Sequence, residues 1–133
     1  MKSIATLIFF AIILTGCKKE STTNKFESEL IGEWELELVT NMNGPTNYPQ
    51  GNGNIMIFKK GGVYQGKQNN VLVSEGKFSV TIKNDCFSFG PNTFLIITGS
   101  SQIEMYVSIE NENLYLSTPN CYADGNGLKY RKL

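Results

Sequence analysis

Histidine is missing from this chain, and arginine occurs once, as Arg131. Without histidine there is no Ser-His-Asp or Cys-His catalysis and no histidine-ligated zinc, and acid–base work would fall to carboxylates and tyrosines. Neither sign of charge is in excess: 12 basic and 12 acidic side chains in 133 residues leave no electrostatic footprint for nucleic acid. Long apolar runs are lacking as well. The stretch over residues 4–14 is well short of the roughly 20 residues a membrane-spanning helix needs. These absences point away from an enzyme, a nucleic-acid partner and a cofactor, and the sequence names no ligand.

What is present begins with that short run. Lys2 precedes it, and Leu14-Thr15-Gly16-Cys17 closes it. A positive start, a compact apolar core and a small-residue exit mark a secretory signal. The exit resembles the lipobox of bacterial lipoproteins, and the resemblance implies cleavage after residue 16 and acylation of Cys17. The alternatives are an ordinary signal peptide that carries a cysteine and an uncleaved anchor. Each buried methylene contributes about 0.8 kcal/mol, so two or three acyl chains would hold the protein on a membrane. By the same resemblance, Lys18 in place of an aspartate favours the outer membrane over retention at the inner one; the leaflet stays open.

Removing residues 1–16 takes Lys2 with it and leaves 117 residues with 11 basic and 12 acidic groups. Two other cysteines remain, Cys86 and Cys121. In an oxidising compartment the expectation for a lone pair is a disulfide. Two free thiols, or a two-cysteine metal site made poor by the lack of histidine, are the alternatives. Residues 17–29 are polar, with little to bury, and read as the lipidated N-terminus and a flexible tether. Residues 30–133 make one small domain.

Within that domain the alternation is that of strands. Trp34, Leu36 and Leu38 alternate with Glu33, Glu35 and Glu37; Phe78, Val80 and Ile82 alternate with polar neighbours; so do Ile103, Met105, Val107 and Ile109, then Leu114 and Leu116. Turn residues separate the runs, among them Gly61-Gly62, Asn69-Asn70 and Asn111-Glu112. Short strands with short turns make an antiparallel meander of about 8–9 strands. Val71 to Ile82 reads as one strand bent at Gly76. One apolar face drives such a meander to curl until its ends pair, an all-β, up-and-down barrel. Two runs, residues 55–58 and 94–97, are apolar on both faces, and their outer faces need a cover: a loop, the N-terminal segment, the other strands or a partner.

Gly32-Glu33-Trp34 opens the first strand just after the short segment at residues 28–31. This resembles the G-x-W signature of lipocalins, in which a short helical turn precedes a glycine and a tryptophan that plugs the closed end of the barrel. "FKKGGVY", "GKF" and "DGNGLKYRKL" are similar to the hairpin, the following strand and the closing strand of small bacterial lipocalin-like domains. The resemblance implies structural roles for Gly32, Trp34 and Arg131, since lipocalins stack a late-strand arginine on that tryptophan. Alternation favours another role for Arg131: if Leu128 and Tyr130 point inward, Lys129 and Arg131 point outward, opposite Glu33, Glu35 and Glu37. The three glutamates are strung too far apart to hold one cation, and Asp124-Gly125-Asn126-Gly127 reads as a hairpin turn, so no metal site is expected.

The loop over residues 41–54 lies where lipocalins have a lid over the barrel mouth, and Tyr48 is its one large contact residue. A cavity, if the barrel holds one, would be lined by Trp34, Leu36, Leu38, Phe78, Val80, Met105, Val107 and Leu116. The same residues are what a solid core requires. The leading expectation is therefore a membrane-anchored, non-enzymatic module that binds a small apolar or amphipathic ligand. An envelope lipoprotein with a filled barrel that docks a partner protein is the other. Oligomeric state is not legible.

Overall fold

The structure, a computed structural model, describes residues 21–85, 90–119 and 125–133. One helix, α1 (Thr22–Leu30), precedes nine strands: β1 (Gly32–Asn41), β2 (Gly44–Asn47), β3 (Ile55–Lys59), β4 (Val63–Gln68), β5 (Val71–Asn84), β6 (Pro91–Thr98), β7 (Gln102–Glu110), β8 (Asn113–Ser117) and β9 (Gly127–Lys132). Each strand from β3 onward pairs antiparallel with the next, and β9 pairs back onto β1. The result is a closed barrel of eight strands, with β2 added outside the circuit as a hairpin on the end of β1. Closure removes the two edges an open meander would expose. Two hairpins turn through left-handed residues, Asn69-Asn70 and Asn111-Glu112, the geometry that matches the twist of antiparallel strands.

β5 is a single 14-residue strand that changes partners around Gly76 and Lys77. Its first half pairs with β4 and its second half with β6. A Cβ on residue 76 would collide with the carbonyl of Thr98, so only glycine lets β5 pass so close to the end of β6. Beyond Lys77 the strand has lost β4, and its exposed edge is satisfied otherwise. Phe78 N–H donates to Gly62 O at 2.8 Å, and Val80 N–H donates to Glu27 Oε1 at 3.1 Å.

That glutamate sits on α1, within the segment expected to be a tether. Residues 22–29 are helical instead. Ser21 caps the helix by accepting from Asn24 N–H, and Phe26 and Leu30, four apart, present one apolar face to the core. Overall polarity hid this: two apolar side chains at helical spacing suffice when a barrel end supplies the rest of the contact. The folded unit thus starts about eight residues earlier than residue 30.

The inward face holds Trp34, Met56, Phe58, Phe78, Val80, Leu95, Ile97, Val107, Leu114, Leu116 and Tyr130, all buried, with Leu36 packed against them. One expected inward residue is not there. A bulge between Leu36 and Leu38 puts an extra residue into β1, so Leu36 pairs with inward Tyr130, while Leu38 pairs with Lys129 and Val39 with Leu128. The alternation flips, and Leu38 lies on the outer face.

Both doubly apolar runs are covered by the protein itself. Ile55, Ile57 and Phe94 are buried although they face away from the core. Phe94 lies under the Tyr106 ring, 4.8 Å between centroids, and under the Lys83 ammonium, which also pairs with Glu104 at 2.6 Å. A partner docked on these runs, one of the sequence expectations, therefore has no apolar face to meet there. Exposed apolar surface lies instead on Val71, Leu72 and Val73 at the start of β5, and on Ile103.

Candidate functional site

The barrel has a closed end and an open one. At the closed end, Gly32 turns the chain from helix to strand with φ of 141°, a conformation that favours glycine. Trp34 is fully buried there, and its indole N–H donates to Leu30 O at 2.8 Å, tying the plug to the helix. The cation over its ring is Lys132, 5.2 Å from the centroid. Arg131 faces the other way, as alternation requires. Its Nε stands 3.6 Å from Glu35 Oε2, and its Nη2 donates to Tyr48 O at 2.9 Å. Lys129 pairs with Glu37 at 2.9 Å, and the hydrogen bond it donates to that carboxylate raises the lysine pKa. Lys132 was legible from the same parity argument: it shares a face with Tyr130 and is the direct partner of Trp34.

The 41–54 segment is no lid. Residues 44–47 form β2 and fold back on β1, and Tyr48 N–H donates to Glu37 O at 2.8 Å. The rest of the loop lies over the outer face of β1, where buried Glu35 accepts from Gly51 N–H at 3.0 Å and from Gly53 N–H at 3.3 Å. Tyr48 thus holds an outer strap by its backbone and lines neither of the clefts below.

At the open end the interior is incompletely filled. A cleft of about 340 Å³ lies between the inner faces of β3–β5 and β6–β7. Met56, Ile97, Ile103 and Met105 line it, with Tyr64, Ser74 and the turn at residues 99–101 at its rim. Two glycines on neighbouring strands let their surroundings close in: the Tyr64 and Ser74 side chains take the room a Cβ on Gly66 would need, and Gly76 lies against the Thr98 carbonyl. Tyr64 OH and Ser74 Oγ are 3.4 Å apart across Gly66. A smaller recess of about 140 Å³ shares Met56, Tyr64 and Ser74 and reaches Tyr130. Burial pushes the Tyr130 phenol well above its ordinary pKa, so it stays a neutral donor facing the recess. An apolar pocket with two phenols and a hydroxyl suits an amphipathic molecule.

Of the proposed lining residues, Met105 borders this cleft. Trp34, Phe78, Val80, Val107 and Leu116 belong to the packed core, and Leu36 packs on it. The alternation "VYQG" at residues 63–66 places Tyr64 and Gly66 on one face and could have marked the mouth. Cys17, Cys86 and Cys121, the expected lipidation and disulfide residues, lie outside the described residues. No family model, curated protein or solved structure matches the chain.

Proposed function

We propose that the protein is a lipid-anchored envelope module that binds a small amphipathic ligand at the barrel mouth and does no covalent chemistry. The observation that carries this reading is the open half of the interior: an apolar cleft of about 340 Å³ with Tyr64 and Ser74 at its rim. The lipobox-like Leu14-Thr15-Gly16-Cys17 supplies the anchor. Four residue steps separate Cys17 from the helix cap Ser21, a reach of at most about 14 Å. Because α1 closes the opposite end of the barrel, such an anchor would hold the closed end at the membrane and leave the mouth facing away from it.

Native mass spectrometry of the mature lipoprotein, purified gently from its own cells, tests the reading. A reproducible small-molecule adduct, distinct in mass from the acyl chains and lost on denaturation, is expected. Ile103→Trp, which fills the mouth from an exposed position, should abolish it. A bare protein mass, or an adduct that survives in that variant, overturns the mouth as the site. A mature mass without acyl groups on Cys17 overturns the anchor separately.

A further inference from the structure

A second cavity, of about 520 Å³, lies across the start of β6, β7, β8, β9 and the end of β1, with Asn92 and Thr93 on its β6 side. Register places it on the outside of the barrel. Ser108, Tyr115, Lys129 and Leu38 form one cross-strand row, and Tyr106, Ser117, Gly127 and Thr40 form the next. Between the two rows run Val107, Leu116 and Leu128, which alternate with them, belong to or pack on the core, and also border the hollow. The hollow arises from side-chain size: large groups at Tyr106, Tyr115 and Lys129 stand around a floor made of Ser117, Gly127 and Thr40. The β1 bulge completes it by turning Leu38 outward. Tyr106 is held against Phe94, so one aromatic wall is already fixed in place.

The lining selects a chemistry. A purely apolar ligand would strip water from the hydroxyls of Thr40, Ser108 and Ser117 without replacing their hydrogen bonds. A strongly anionic ligand would find the one ammonium, Lys129, already neutralised by Glu37 at 2.9 Å. What remains is a neutral molecule with flat C–H faces for tyrosine rings and hydroxyls for the small polar groups. We propose that this outer groove binds a short neutral oligosaccharide. The site is separated from the mouth cleft by the sheet itself, so it stands whether or not the mouth takes a ligand.

The test is an NMR titration of the isotope-labelled, full mature chain with maltotetraose, cellotetraose and chitotetraose in turn. At least one sugar should shift the amides of Ser108, Tyr115 and Lys129 while leaving those of Tyr64 and Ile103 in place. Gly127→Leu fills the floor at a position where a Cβ meets only ordinary contact, and it should weaken binding by about tenfold or more. Tyr115→Ala, at an exposed ring, should do the same and decides the matter should the first variant fail to fold. The proposal is overturned by a panel in which no sugar moves the groove amides. Unaltered binding in either natively folded variant overturns it equally.

Discussion

Single residues decide which face of each strand carries charge. Glu35 is almost fully buried, yet its carboxylate is fully employed: two backbone N–H groups of the 48–54 loop and the Arg131 guanidinium converge on it. Removing one partner of such an arrangement leaves the others desolvated and unpaired. Glu35→Ala should therefore cost about 3 kcal/mol of unfolding free energy, read as a lower urea midpoint. Glu33→Ala, which deletes an exposed carboxylate on the same strand, should change it by less than about 0.5 kcal/mol. Equal effects at the two positions would refute the special role of Glu35. Much of this pattern was legible in the sequence, because period-two alternation put Arg131 and Lys129 opposite the glutamates. The burial of Glu35 was not, since it depends on a loop returning from sixteen residues downstream.

At the scale of elements, the strands announced themselves and the exceptions did not. β1 kept its expected alternation up to Leu36 and lost it at a bulge for which the adjacent apolar pair Leu38-Val39 was the one sign. β2 was unreadable because Gly44-Pro45-Thr46-Asn47 carries turn residues rather than strand residues, and pairing with β1 overrides that preference. The helix was masked by its polar composition, and its function is to finish an edge. Where β5 outruns β4, Glu27 supplies the acceptor that Val80 N–H would otherwise lack. Glu27→Ala should leave that donor unpaired at a cost of about 1–3 kcal/mol. Hydrogen exchange locates the effect. Val80 should lose protection in the variant while Leu114 and Leu116, on the far strand β8, keep theirs. Uniform loss across all three would mean that the helix stabilises the barrel globally rather than by capping this edge.

The whole molecule is a barrel filled at one end and open at the other, and Tyr130 sits at the boundary between them. From its place on β9 it belongs to the core and also reaches the recess beneath the mouth. Burial raises its pKa first, and the nearby Tyr64 and Tyr48 phenols raise it further. Lys129, its neighbour on the outer face, is also raised, mainly by its hydrogen bond to Glu37. Both groups therefore hold their protons more tightly in the folded protein than in the unfolded chain. Below the ordinary tyrosine and lysine range, near pH 10, both states are protonated and the stabilisation is complete. As pH rises through that range, the unfolded chain gives up these protons first and gains free energy that the folded state cannot match. Stability should thus be level from about pH 8 to about pH 9.5 with respect to these groups, then fall. A tyrosine protonated only in the folded state makes the slope about 1.4 kcal/mol per pH unit. Tyr130→Phe removes the titrating hydroxyl and keeps the ring in the core, so the variant should match the parent at neutral pH to within about 1 kcal/mol and decline less steeply above pH 10. Urea midpoints across the alkaline range, followed together with tyrosinate absorbance, separate the two contributions. A parent curve that stays flat through that range, or a variant that falls as steeply as the parent, would show that Tyr130 is more solvated than its position in the barrel implies.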